Sequence, residues 1–81
     1  VTYSYDQESD ILYVVFEQVK DDCDYVENQP GIVLRGDAKT QKVVGCTVLN
    51  FRARVRKSGR VEVEGLRGLE LDSQLAKMLV A

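Results

Sequence analysis

The sequence has no histidine, no tryptophan, a single proline and two cysteines among its 81 residues. Without histidine it lacks the side chain that most often acts as a general base and as a neutral metal ligand near neutral pH. Ser–His and Cys–His nucleophile systems cannot be built within one chain, and neither can a zinc site that needs imidazole. Cys23 and Cys46 are too few for the disulfide framework of a small secreted domain. They do not form a Cys-x-x-Cys pair, and Cys46 sits in an apolar run where a free thiol behaves as a small hydrophobe. No long hydrophobic stretch exists either. The longest, Ile11 to Phe16, is far too short to cross a membrane, and the opening VTYSYDQESD has neither the basic region nor the apolar segment of a secretory signal. These absences lead us to expect a soluble cytoplasmic protein with no membrane association and no cofactor.

What is present suits one small domain, residues 1–81. A chain this short buries only about 60% of its unfolded surface, so a partner would help it. The formal net charge of −2 conceals a segregation. Residues 1–34 hold eight acids and one base, residues 35–60 eight bases and one acid, and residues 61–81 four acids and two bases. The simplest expectation is that acidic and basic strands lie side by side and neutralise each other across one sheet. The other is an acidic partner or a nucleic acid on the basic block.

The pattern reads as strands from the start. Val1, Tyr3 and Tyr5 alternate with Thr2 and Ser4, residues 6–10 are turn-forming, and Ile11–Phe16 is apolar on both faces. A short strand around Asp24–Glu27, the punctuation Pro30-Gly31, a buried strand at Ile32–Leu34 and another from Val43 to Phe51 follow. Gly45 inside the last strand signals a bulge or a close backbone approach. Over 51–64, Phe51, Ala53 and Val55 alternate with Arg52, Arg54 and Arg56, and Val61 and Val63 with Glu62 and Glu64. This predicts an Arg-rich β-hairpin turning at Lys57-Ser58-Gly59, with Arg54 opposite Glu62 and Arg52 opposite Glu64. Leu75, Ala76, Leu79 and Val80 then repeat at helical spacing after a cap at Asp72 or Ser73, predicting a C-terminal helix over 72–80. The expected fold is α+β: a small antiparallel β-meander of about five strands with a short C-terminal helix.

The segments Tyr5-Asp6-Gln7-Glu8-Ser9-Asp10-Ile11-Leu12-Tyr13-Val14, Pro30-Gly31-Ile32-Val33-Leu34 and Val43-Val44-Gly45-Cys46-Thr47-Val48-Leu49 together resemble the small bacterial family catalogued as domain of unknown function 2283, over residues 3–50. The turn Asp37–Lys42 lacks the glycine frequent in that family, and residues 51–81 lie outside the shared pattern. The resemblance implies a small β-rich fold and no established activity, and it carries over no functional residue. Some relatives look like small partners of toxin-like proteins, which implies an antitoxin-like role.

The candidate interaction surface is Arg52, Arg54, Arg56, Lys57 and Arg60, five bases with no acid among them. The leading expectation is a non-enzymatic protein–protein interaction module or homodimer. The second is a nucleic-acid-associated protein that uses these bases, although three or four charges support only weak, salt-sensitive binding. The third is a carboxylate- or metal-dependent enzyme. Asp6, Glu8 and Asp10 have the spacing that opens a calcium loop but lack its glycine and terminal glutamate, and we expect Asp6 and Asp10 to bond the turn backbone instead. The acidic loop 21–27, with Asp21, Asp22, Asp24 and Glu27, reads as solvated. Tyr3, Tyr5, Tyr13 and Tyr25 read as core-edge residues rather than base-stacking platforms.

Overall fold

In the computed structural model, described for residues 1–19, 22–63, 66, 69 and 71–80, the chain runs β1 (Thr2–Asp6), β2 (Ile11–Val15), β3 (Cys23–Gln29), β4 (Ile32–Asp37), β5 (Val43–Leu49), α1 (Phe51–Ser58), β6 (Arg60–Val61), β7 (Leu71–Asp72) and α2 (Ser73–Val80). The expected five-stranded antiparallel sheet and short C-terminal helix are both present. The strand order is β1-β2-β5-β4-β3, so the meander is confined to β3–β4–β5. β2 pairs with β5 rather than β3, and the connection from β2 crosses the end of the sheet to its far edge, which makes β2–β5 a Greek key. Pairing the two most apolar strands at the centre explains the departure: Leu12 lies opposite Val48 and Val14 opposite Cys46, and all four are buried.

The second departure concerns residues 51–64. The predicted Arg-rich hairpin is absent. Residues 51–58 form α1, and β6 pairs with β7, Val61 opposite Leu71. Phe51 and Val55, four apart, are the buried residues of α1, whereas Ala53 is exposed. The alternation of apolar residues with arginine is therefore read by the fold at helical spacing, and arginine, alanine and lysine all favour helix. Arg54 and Glu62 are not cross-strand partners, and Glu64 lies outside the described residues.

The even-numbered side chains of β2, β4 and β5 point to one face, where they meet α1, β6, β7 and α2. Leu12, Ile32, Val48, Phe51 and Leu71 are fully or almost fully buried there. Each contributes about 1.5–3 kcal/mol by leaving water. Leu75, Ala76 and Leu79 of α2 pack on the same cluster, and the cap of α2 is Asp72, whose Oδ1 accepts the Leu75 N–H at 3.0 Å. Among the described residues, no helix is long and apolar enough to cross a membrane.

Candidate functional site

α1 carries four of the five candidate bases, and its sequence is poorly equipped to start a helix. Asn50, the N-cap residue, is in the left-handed region at φ 56° and makes no side-chain cap bond, and the first turn has no acidic residue. The missing cap comes from 42 positions away. Asp10 Oδ1 accepts the Arg52 N–H at 2.9 Å, the Ala53 N–H also bonds this carboxylate, and the Asp10 carbonyl accepts the Phe51 N–H at 3.1 Å. Asp10 itself is left-handed at φ 57°, a conformation aspartate tolerates better than most residues. The same Oδ1 accepts the Tyr5 hydroxyl at 2.6 Å, and the Tyr5 ring meets Phe51 edge-on, with centroids 5.9 Å apart. Burial pushes Tyr5 upward in pKa, and the bond to Asp10 adds to this by holding the proton on the phenol. Burial also opposes the Asp10 charge. The hydrogen bonds from Tyr5, Arg52 and Ala53 and the Arg52 guanidinium outweigh it and hold the carboxyl below its usual value.

A second mooring lies one turn further on. Arg54 Nε donates to the Leu49 carbonyl at 2.8 Å, and its terminal nitrogen donates to the Pro30 carbonyl. Gly31, at φ +80°, turns the chain directly beneath that guanidinium, where a Cβ would collide with it. Arg54 is therefore a clasp between α1, β5 and the β3–β4 turn. At the other end Gly59, at φ 81°, gives its N–H to the Val55 carbonyl at 2.7 Å, closing the helix in the usual left-handed way.

The five candidate bases consequently divide. Arg54 is occupied internally. Arg60 pairs with Glu62 at 2.6 Å, both side chains largely exposed, so the pair is worth little. Arg52, Arg56 and Lys57 are exposed, and among the described residues no carboxylate forms an ion pair with them. Arg52 and Arg56 stand one turn apart on one face of α1, with Lys57 beside them.

The acidic candidates do other work. Asp6 Oδ1 accepts the Glu8 N–H at 3.1 Å and so shapes the β1–β2 turn as expected; Asp10 bonds α1 rather than that turn. Asp24 lies on β3, at the opposite edge of the sheet from β1, so it cannot share a reaction centre with Asp6 or Asp10. Of the acidic loop, Asp21 lies outside the described residues, and Asp22, Asp24 and Glu27 are exposed. No three cysteine or carboxylate side chains among the described residues gather as a metal site. The charge blocks meet at Lys42 and Glu17, 3.0 Å apart, where the end of β2 approaches the start of β5. Tyr3 and Tyr5 pack on the core as expected, whereas Tyr13 and Tyr25 are exposed at 42% and 67%.

Neither cysteine is in a disulfide. Cys46 is buried in the core, and burial pushes its thiol up to about 11. In the native protein at pH 8 iodoacetamide is expected to leave Cys46 unmodified, and denaturant is expected to expose it. Peptide mass mapping before and after unfolding checks this; rapid native alkylation of Cys46 would contradict the buried placement.

A family model described as Protein of unknown function (DUF2283) matches residues 2–52. No curated protein and no solved structure matches the chain.

Proposed function

The chain belongs to the DUF2283 family, whose match ends on the first turn of α1, and from that premise we propose that it is a non-enzymatic interaction module presenting the basic face of α1 to an acidic protein surface. The observation that carries this reading is the exposed triad Arg52, Arg56 and Lys57 on a helix held in place by Asp10 and Arg54. Like charges one turn apart cost a helix about 0.2–0.5 kcal/mol, and Arg52 at the N-terminus opposes the helix dipole. A local cost of this kind, set on a moored element, is what a binding face shows. Tyr5, Asp10, Pro30 and Gly31, which carry the family resemblance, take part in the moorings, and Arg54, beyond the matched residues 2–52, completes the second. The setting proposed is the cytoplasm, consistent with two cysteines outside any disulfide, and an antitoxin-like partner role is one form this function takes.

The second reading is nucleic-acid binding by the same three cations. Fluorescence anisotropy with a Glu-rich peptide and with duplex DNA separates the two. The peptide is expected to bind, and Arg56→Glu with Lys57→Glu to weaken it at least tenfold, about 1.4 kcal/mol. If DNA binds more tightly than the peptide, with a log–log salt slope of about −3 for three phosphate contacts, the nucleic-acid reading replaces this one. If neither probe shows binding that the charge reversal weakens, α1 is not the binding face.

A further inference from the structure

The basic face of α1 uses Arg52, Arg56 and Lys57 and leaves Arg54 and Arg60 without a role outside the fold. These two line one groove, together with Lys57. Asn50, Arg54 and Lys57, four and then three positions apart, form a stripe along the side of α1 and make one wall. α1 packs against β6, and Arg60 and Glu62 make the other wall. Ile32 and Val61, both buried, close the floor. The groove has a volume of about 440 Å³. That lies within the range of about 300–1,000 Å³ that holds small organic ligands, and it is many times the roughly 30 Å³ of a water molecule.

The charged groups of this groove are not equivalent. Arg54 is half-buried and fixed by the Leu49 and Pro30 carbonyls. Its remaining N–H groups are open to a ligand, and a side chain already fixed loses little entropy on binding. Lys57 has no ion pair among the described residues. Arg60 is held by Glu62, but both side chains are largely exposed, so this pair contributes little and yields to a stronger anion. The Ser58 hydroxyl and the Asn50 carboxamide, which caps nothing, add neutral donors. Three cations against one carboxylate leave the groove a formal charge of +2. A phosphate monoester, with its second pKa near 6, carries a charge of about −2 above neutral pH and answers both. A monocarboxylate leaves one cation unanswered. Guanidinium also matches phosphate geometry through paired N–H donors.

We propose that the groove between α1 and β6 binds a small organic phosphate monoester through its phosphate group. Arg54 is the fixed donor, Lys57 and Arg60 close on the phosphate from the two walls, and Glu62 competes with the ligand for Arg60. The organic part fills the rest of the groove. The site shares Lys57 with the basic face of α1 but does not rest on what that face binds.

The full chain, labelled with nitrogen-15, is titrated with phenyl phosphate at about pH 7.5, above the second phosphate pKa, and its amide shifts are followed. Binding is expected to saturate at roughly millimolar ligand, with the largest shifts over residues 57–62. Lys57→Gln and Arg60→Gln are each expected to weaken binding about three- to fivefold, the worth of one exposed charge pair. Lys77→Gln makes the same charge change on α2 and is expected to leave binding unaltered. Glu62→Gln is expected to tighten binding by a similar factor because it releases Arg60. Asp24→Asn, the same charge change on β3, is expected to have no effect. All these side chains are exposed, so the fold is expected to stand in every variant. Inorganic phosphate, which lacks the organic part, and benzoate, which lacks the second charge, are both expected to bind more weakly than phenyl phosphate. Shifts that do not saturate overturn the proposal, as does an equal loss with Lys77→Gln, or inorganic phosphate or benzoate binding as tightly as phenyl phosphate.

Discussion

Asp10→Ala is expected to lower the melting temperature by roughly 10–20 °C, from a loss of about 2–3 kcal/mol at about 4–8 °C per kcal/mol for a domain of this size. Removing an N-cap costs about 1–2 kcal/mol. A left-handed alanine adds about 1 kcal/mol, and the Tyr5 hydroxyl loses its acceptor. Asp10→Asn keeps an acceptor oxygen and tolerates the left-handed backbone, so its deficit is expected to be about half as large. Comparing the unaltered protein with Asp10→Asn isolates the charge, and comparing the two variants isolates the acceptor oxygen. The native pKa of Asp10 is depressed, so its ionic contribution is fully present above the unfolded aspartate value near 4 and is lost as pH falls through the lower native value. The stability gap between the unaltered protein and Asp10→Asn should therefore be constant from pH 5 to 7 and shrink towards pH 3. Urea denaturation at these pH values checks it. A gap that widens on acidification would mean that the carboxylate is not the stabilising species.

The second large effect is at Gly45. A Cβ there would stand 2.6 Å from the Val14 carbonyl oxygen, a backbone atom that moves only if β2 and β5 separate. Overpacking of this kind costs about 1–3 kcal/mol and sometimes more, and the β2–β5 ladder is the joint between the β1–β2 hairpin and the β3–β5 meander. The whole stability expected of such a domain is only about 4–12 kcal/mol. Gly45→Val is expected to leave the chain unfolded at 25 °C, and Gly45→Ala to lose about 3 kcal/mol, in the range cited for overpacking. Gly59→Ala is the comparison: its φ of 81° is unfavourable for alanine, unlike that of Gly45, but nothing lies within 4 Å of the added methyl, so the loss is about 1–2 kcal/mol. Circular dichroism melts of the three variants rank these effects; equal losses at Gly45 and Gly59 would refute the close-approach argument.

Which features were legible in the sequence follows from how local their causes are. The strands at residues 2–6, 11–15 and 43–49, the turn at Pro30-Gly31, the close approach at Gly45 and the helix capped by Asp72 all have their causes within a few residues. α1 does not. The string Phe51-Arg52-Ala53-Arg54-Val55-Arg56 satisfies a period of two as well as a spacing of four, and the group that caps it is Asp10, not a neighbour. A strand would set Arg54 against a glutamate. In the helix it reaches two backbone carbonyls, which no charge count reveals. The strand order escaped for the same reason, since β2 and β5 are joined by contacts such as Leu12 with Val48, which no local pattern specifies.

The crossover from β2 to β3 also has a temporal consequence. The β1–β2 hairpin and the β3–β4–β5 meander each close over short stretches of chain, and such pieces assemble in microseconds. Bringing β5 against β2 means closing a loop of some thirty residues, and the loop-closure entropy falls on that single event. The same event delivers Asp10 to Phe51 and Arg52, so α1 acquires its start only when the two halves of the sheet have met. Gly45→Ala should accordingly be felt mainly as slower refolding in stopped-flow experiments.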